Sequence, residues 1–196
     1  MHDLVFMHIP RNGGTSIINA FGGGLRVVRH DIYSLRYTSL RDYLMESGKR
    51  PSVVFAVVRN PFDRLVSAWC HLQDSGVNKY DERDRLQVVG HYESFSDFVV
   101  GEIRTGRSLG LLHFRPQSSW VTGDHGENLV DFLIHFERLG EELGVMMCQT
   151  IGMECPDLEI VNSSQHCDWR EYYDDETRAM VRSAYQHDFK RFGYEC

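Results

Sequence analysis

Residues 53–58 read Val-Val-Phe-Ala-Val-Val, six apolar positions in a row. A run of strand length with no polar alternation predicts a strand covered on both faces, the place of a central strand in a parallel sheet. The next residues sharpen the reading. Asn60 offers an N-cap, Pro61 suits the first helical position, and Asp63 places a negative charge in the first turn, where the helix dipole favours it. Phe62, Leu65, Val66, Trp69 and Leu72 then recur at helical spacing, a stripe that reads as core.

The same strand-then-helix rhythm runs along the chain. Residues 3–8 (DLVFMH) are β-prone, Pro10 and Asn12-Gly13-Gly14 turn the chain, and residues 15–21 make a short helix that ends at Gly22-Gly23-Gly24. Residues 25–30 (LRVVRH) predict a second strand, and residues 39–47 a helix. Residues 130–136 predict a further strand, with a helix over 139–151. One closing helix starts at Asp174-Asp175-Glu176 and finishes with Lys190-Arg191 and Gly193, acids first and bases last. Residues 74–92 are polar and weakly patterned, and helix is expected again over 95–103. The expected fold is α/β, a three-layer, open, mostly parallel sheet flanked by helices. It forms one domain over residues 1–196, with a variable surface excursion around 74–110. With 42% hydrophobic residues the chain can bury a substantial core.

Charge and composition remove several classes. With 21 basic and 28 acidic side chains the balance is −7, which argues against broad nucleic-acid binding, because that mode needs many Lys and Arg to displace counterions. No stretch approaches the roughly 20 apolar residues that cross a bilayer, and the N-terminus lacks the pattern of a signal peptide. Five cysteines, odd in number and without CxxC spacing, read as reduced thiols. His166, Cys167 and Cys155 fit no closed metal-ligand spacing, so no metal is expected.

In an open parallel sheet, ligands gather beyond the carboxyl ends of the strands, and two informative loops fall there. The first is His8-Ile9-Pro10-Arg11-Asn12-Gly13-Gly14-Thr15-Ser16. Its glycines let backbone N–H groups approach an anion, the helix after it adds positive potential, and the hydroxyls donate, so it suits a phosphate or sulfate. Taken alone, Gly13-Gly14 would also serve as a plain turn. The loop is not the GxxxxGK[ST] of nucleotide triphosphatases, since the basic residue precedes the glycines, and no acid ends the 53–58 strand to hold magnesium. The second loop begins at Arg59, which closes the buried strand; Ser67 lies two turns into the next helix. An arginine fork suits a phosphate. Arg64 either stays near that anion or is a solvated helix charge.

HIPRNGGTS followed by VVRNPFDRLVSAW resembles the paired signatures of sulfotransferases that use 3′-phosphoadenosine 5′-phosphosulfate, in particular their carbohydrate branch. The resemblance continues in HFRPQSSWV, VDFLIHFERLGEEL and YYDDETRAMVRSAYQHDFKRFGY, and so touches most of the chain. It implies a P-loop-like sulfotransferase fold in which Arg11, Asn12, Gly13, Gly14, Thr15 and Ser16 hold the 5′-phosphosulfate, and Arg59 and Ser67 the 3′-phosphate. Arg11 stands where the family usually has Lys. Its charge also makes it a catalytic candidate, stabilising the departing phosphate oxygen.

Transfer by in-line displacement needs a base for the acceptor hydroxyl, and histidine suits that work near neutrality. RHDIYS resembles the family segment that supplies a catalytic histidine, which implies His30 in the role, with Asp31 to orient it. His113 and Gln117 are candidate acceptor contacts, and His8 is expected to pack at the loop base. Family relatives modify sugar hydroxyls, so the expected partner is a hydroxyl-bearing acceptor such as a sugar, with Arg104, Arg107 and Arg115 as a candidate basic strip. Golgi members carry a membrane anchor that this sequence lacks; a cytoplasmic place, bacterial or viral, is therefore expected, with an excised catalytic domain as the other option. A nucleotide kinase or hydrolase, and a silent nucleotide-binding module, are the competing readings.

Overall fold

The computed structural model describes residues 4–22, 24–29, 40–73, 79–152, 156, 158 and 167–195. The elements in chain order are β1 (Leu4–His8), α1 (Gly14–Phe21), β2 (Arg26–Arg29), α2 (Leu40–Ser47), β3 (Val53–Val58), α3 (Pro61–Gln73), α4 (Lys79–Gln87), α5 (Phe95–Phe98), α6 (Ser118–Val121), β4 (Phe132–His135), α7 (Leu139–Ile151), α8 (Asp175–Ala184) and α9 (Gln186–Phe192). They form two compact units, one from Met1–Arg59 with Gln117–Ser163 and one from Asn60–Pro116 with Ser164–Cys196.

The first unit is the expected α/β arrangement. Its sheet has the order β2-β1-β3-β4, and every pairing is parallel. All six residues of β3 are buried, as their unbroken apolar run requires. At about 1.5–3 kcal/mol for each large apolar side chain removed from water, this strand is a main source of the unit's stability. Ile17 of α1 and Leu143, Met146 and Met147 of α7 pack with Phe6, Phe55, Val57 and Ile134 of the sheet. Tyr43 of α2 accepts a hydrogen bond from Arg26 at the β2 edge, 2.9 Å. β4 is shorter than the sequence suggests, because Asp131 caps it. The backbone N–H of Asp131 donates to the Val54 carbonyl, and its carboxylate accepts from the Val54 N–H, both at 2.8 Å.

The second unit is an aromatic-rich helical body. α3 starts where Asn60 and Pro61 predict, with the Phe62 N–H donating to Asn60 Oδ1 at 3.0 Å. Its stripe of Phe62, Leu65, Val66, Trp69 and Leu72 joins Phe95, Phe98, Val99 and Ile103 in one core. Phe95, Phe98, Val99 and Ile103 are thus buried, within the stretch expected as a surface excursion. α5 runs there into a wide π turn over Val99–Ile103, where Gly101 lies against Tyr92; a Cβ on Gly101 would stand 2.4 Å from the Tyr92 hydroxyl. The single closing helix expected from sequence is two helices. Tyr185 leaves helical geometry between α8 and α9, and its buried hydroxyl donates to the Phe114 carbonyl at 2.6 Å. Asp174 and Thr177 form a reciprocal capping box at the start of α8.

Candidate functional site

In the sheet order β2-β1-β3-β4 the chain goes from β1 to β2 on one side, then crosses back to place β3 on the other. The carboxyl ends of β1 and β3 therefore flank a topological switch point, the place where open α/β sheets bind ligands. The 9–13 loop leaves β1 there, Arg59 leaves β3, and Phe136 leaves β4.

The loop has an unusual backbone. Arg11 holds φ 70° and Gly13 φ 75°, two left-handed residues around Asn12. This conformation costs a side-chain-bearing residue about 1 kcal/mol and persists only where its surroundings enforce it. The enforcing contacts are visible. Asn12, 1% exposed, donates its amide to the Val57 carbonyl at 2.7 Å and to Gln117 Oε1 at 2.8 Å. Arg59 Nη1 donates to the Arg11 carbonyl at 3.0 Å, and its guanidinium lies 4.3 Å from the centre of the Phe136 ring. Gly13 brings the backbone against that ring, since a Cβ there would be 3.0 Å from Phe136 Cε2. Gly14 has no room at all: a Cβ would lie 1.9 Å from Cδ2 of His8, so His8 packs at the loop base.

After these turns α1 begins at Gly14, with exposed Thr15 and mostly buried Ser16 in its first turn. The loop thus carries Arg11, is bonded to Arg59 and runs into a helix N-terminus, the kinds of group that anion sites use.

Gln117 is fully buried and both ends of its amide are engaged. Oε1 accepts from the Arg59 N–H at 2.9 Å as well as from Asn12, and Nε2 donates to the Arg59 carbonyl at 2.8 Å. The side chain expected to touch an acceptor is thus a strut that fixes Arg59 to the loop. No local pattern signals it, because its partners lie 58 and 105 residues away in sequence. Sequence reasoning also misses Phe136 as a site residue.

At the end of β4, Glu142 takes the His135 backbone N–H at 2.6 Å and Arg138 Nε at 2.7 Å. Burial alone would raise the Glu142 carboxyl, but these hydrogen bonds outweigh it and hold the group below its ordinary range.

The remaining candidates belong to the second unit or fall outside the described residues. Ser67 lies on α3 and is fully buried. Arg64 is 3% exposed and donates to the Arg115 carbonyl at 3.0 Å, so it is not a solvated charge. His113, mostly buried, turns Nε2 to Asp81 at 3.0 Å. Arg107 of the expected basic strip is paired with Glu102. His30, Asp31, Cys155 and His166 lie outside the described residues. Among the described residues no helix is long and apolar enough to cross a membrane.

Fold and loop together give an open parallel α/β sheet with a glycine turn and Arg59 at its switch point. Residues 1–195 match the sulfotransferase family, and the chain belongs to it. Comparison with curated proteins and with solved structures gives no match.

Proposed function

We propose that this sulfotransferase uses 3′-phosphoadenosine 5′-phosphosulfate as donor and passes its sulfuryl group to a hydroxyl on a carbohydrate or glycoconjugate. The observation that carries the reading is the junction of the β1 loop with Arg59 at the switch point, two cationic elements beside the N-terminus of α1. When bound, the donor supplies an activated sulfuryl group on a phosphate leaving group.

The chain's own residues have three tasks. Arg11, the N–H groups of Gly13 and Gly14, and the hydroxyls of Thr15 and Ser16 hold the 5′ end and neutralise charge as it gathers on the departing phosphate oxygen. Arg59 takes the 3′-phosphate, a group that ATP lacks. His30 accepts the proton of the acceptor hydroxyl, and positioning for in-line attack supplies the rest.

Calorimetry with adenosine 3′,5′-bisphosphate against magnesium-ATP tests the donor. Tight, metal-independent binding of the bisphosphate, weakened tenfold or more in Arg59→Ala, is expected; a preference for magnesium-ATP overturns the reading in favour of a kinase or hydrolase. Transfer of labelled sulfate to a panel of glycans, lost in His30→Ala while bisphosphate binding persists, tests the chemistry. Donor binding without any transfer would mark a silent binding module.

A further inference from the structure

A second constellation lies within the helical unit, where two successive helices meet a segment 32 residues beyond Asp81. His71 comes from the last turn of α3, Asp81 from the first turn of α4, and His113 from the segment before α6. His71 Nε2 is 3.3 Å from Asp81 Oδ2, and His113 Nε2 is 3.0 Å from Asp81 Oδ1. The three donor atoms all lie within 4.8 Å of one another, and the two imidazole rings are 5.3 Å apart at their centres. The side chains are 16%, 13% and 9% exposed, so the cluster is largely removed from water.

We propose that His71, Asp81 and His113 form a binding site for a divalent transition metal of the zinc class. A tetrahedral ion with bonds of about 2.0–2.1 Å sets its ligand atoms about 3.3 Å apart. The two imidazole nitrogens stand 3.3 and 3.0 Å from different oxygens of the Asp81 carboxylate, so on binding the carboxylate turns one oxygen to the ion and each Nε2 exchanges its hydrogen bond for the metal. Two imidazoles and one carboxylate favour zinc, cobalt, nickel or copper over magnesium or calcium, which prefer all-oxygen shells. Three protein ligands leave the fourth position of a tetrahedral ion to water.

The fold has a use for such a tie. α4 reads Lys-Tyr-Asp-Glu-Arg-Asp-Arg-Leu-Gln and has no apolar stripe, so hydrophobic packing alone does little to fix it. A shared ion would clamp α4 to α3 and to the segment carrying His113. Stability that requires an ion is gained by mass action as the ion binds the folded state.

The test uses the whole chain, stripped by chelator and titrated with cobalt(II) and with zinc. One equivalent of cobalt should give visible ligand-field absorption without a thiolate charge-transfer band, which separates this site from the cysteines. Zinc should raise the melting temperature by several degrees. Asp81→Asn and His71→Gln, each first shown to keep the native circular dichroism, should weaken binding at least a hundredfold and abolish the zinc-dependent shift. Should a variant fail to fold, the wild-type cobalt spectrum and its displacement by zinc decide the matter. Failure of the wild type to bind either ion, a thiolate band in its spectrum, or unchanged binding in a folded variant overturns the proposal and leaves a hydrogen-bonded triad.

Discussion

Gln117 and Arg59 are joined by a reciprocal pair of hydrogen bonds, the Arg59 N–H to Oε1 at 2.9 Å and Nε2 to the Arg59 carbonyl at 2.8 Å. A glutamine amide thereby completes the backbone pairing of a residue that has just left β3. Because Oε1 also takes the Asn12 amide, one side chain sets both the cationic residue after β3 and the loop after β1.

Gln117→Leu keeps the volume and removes all three bonds. The Arg59 backbone groups and the Asn12 amide would be left buried without these partners, at about 1–3 kcal/mol for each group that finds no other. Urea denaturation should show a loss of about 3 kcal/mol or more, and bisphosphate affinity should fall at least tenfold. Wild-type stability and affinity in this variant would show that the strut is dispensable.

Much of this architecture is legible in the sequence because the signals are local. The 53–58 run, the Asn60-Pro61 start of α3 and the glycine turn before α1 each need only neighbouring residues, and each is found where expected. The split at Tyr185 is different, since the residue at the break is tied by its hydroxyl to Phe114, 71 residues away. The same holds for Gln117 and Phe136, whose roles come from the order of strands in the sheet. An acceptor-contact reading of Gln117 rests on its neighbourhood in the HFRPQ segment, whereas its burial is a tertiary fact.

Gly14→Ala places a methyl group into the His8 ring, 1.9 Å from Cδ2. The ring must swing away or the loop must shift, and overpacking of this kind costs about 1–3 kcal/mol. A loss in that range and at least tenfold weaker bisphosphate binding are expected. The double variant His8→Ala, Gly14→Ala makes room for the methyl group and should recover much of the binding. If the double variant binds no better than Gly14→Ala alone, the clash with His8 is not the cause.

Arg11 at φ 70° separates stability from activity. Arg11→Gly relieves the left-handed strain, while the added freedom of the unfolded chain offsets a similar amount, so stability should change by less than about 1 kcal/mol. Removing the charge from the leaving-group side should cost on the order of a hundredfold in turnover. Thermal melts and labelled-sulfate transfer on the same preparation check both halves. A large drop in melting temperature would instead show that the Arg11 side chain is a structural tie.

Two tyrosines of the helical unit predict the alkaline limit of the fold. Tyr173 donates its hydroxyl to the Phe62 carbonyl at 2.9 Å and Tyr185 donates to Phe114, both from buried positions. Burial raises both above the ordinary value of 10.0; for Tyr173 the neighbouring Tyr185 and Asp63 add to the effect, and for Tyr185 the nearby Arg64 opposes it in part. The folded chain therefore keeps two protons that the unfolded chain gives up above pH 10.0. Their contribution is fully present below that pH and declines as the pH rises through it, at no more than about 2.7 kcal/mol per pH unit for two protons. Tyr185→Phe removes one of these protons, and its stability should fall less steeply between pH 10 and 12, by up to about 1.4 kcal/mol per pH unit, after an initial loss of about 1 kcal/mol at neutral pH; Tyr92 and Tyr172, also raised, keep their share of the slope. Urea midpoints collected across that interval for both proteins give the slopes, and equal slopes would mean that Tyr185 does not hold its proton through the fold.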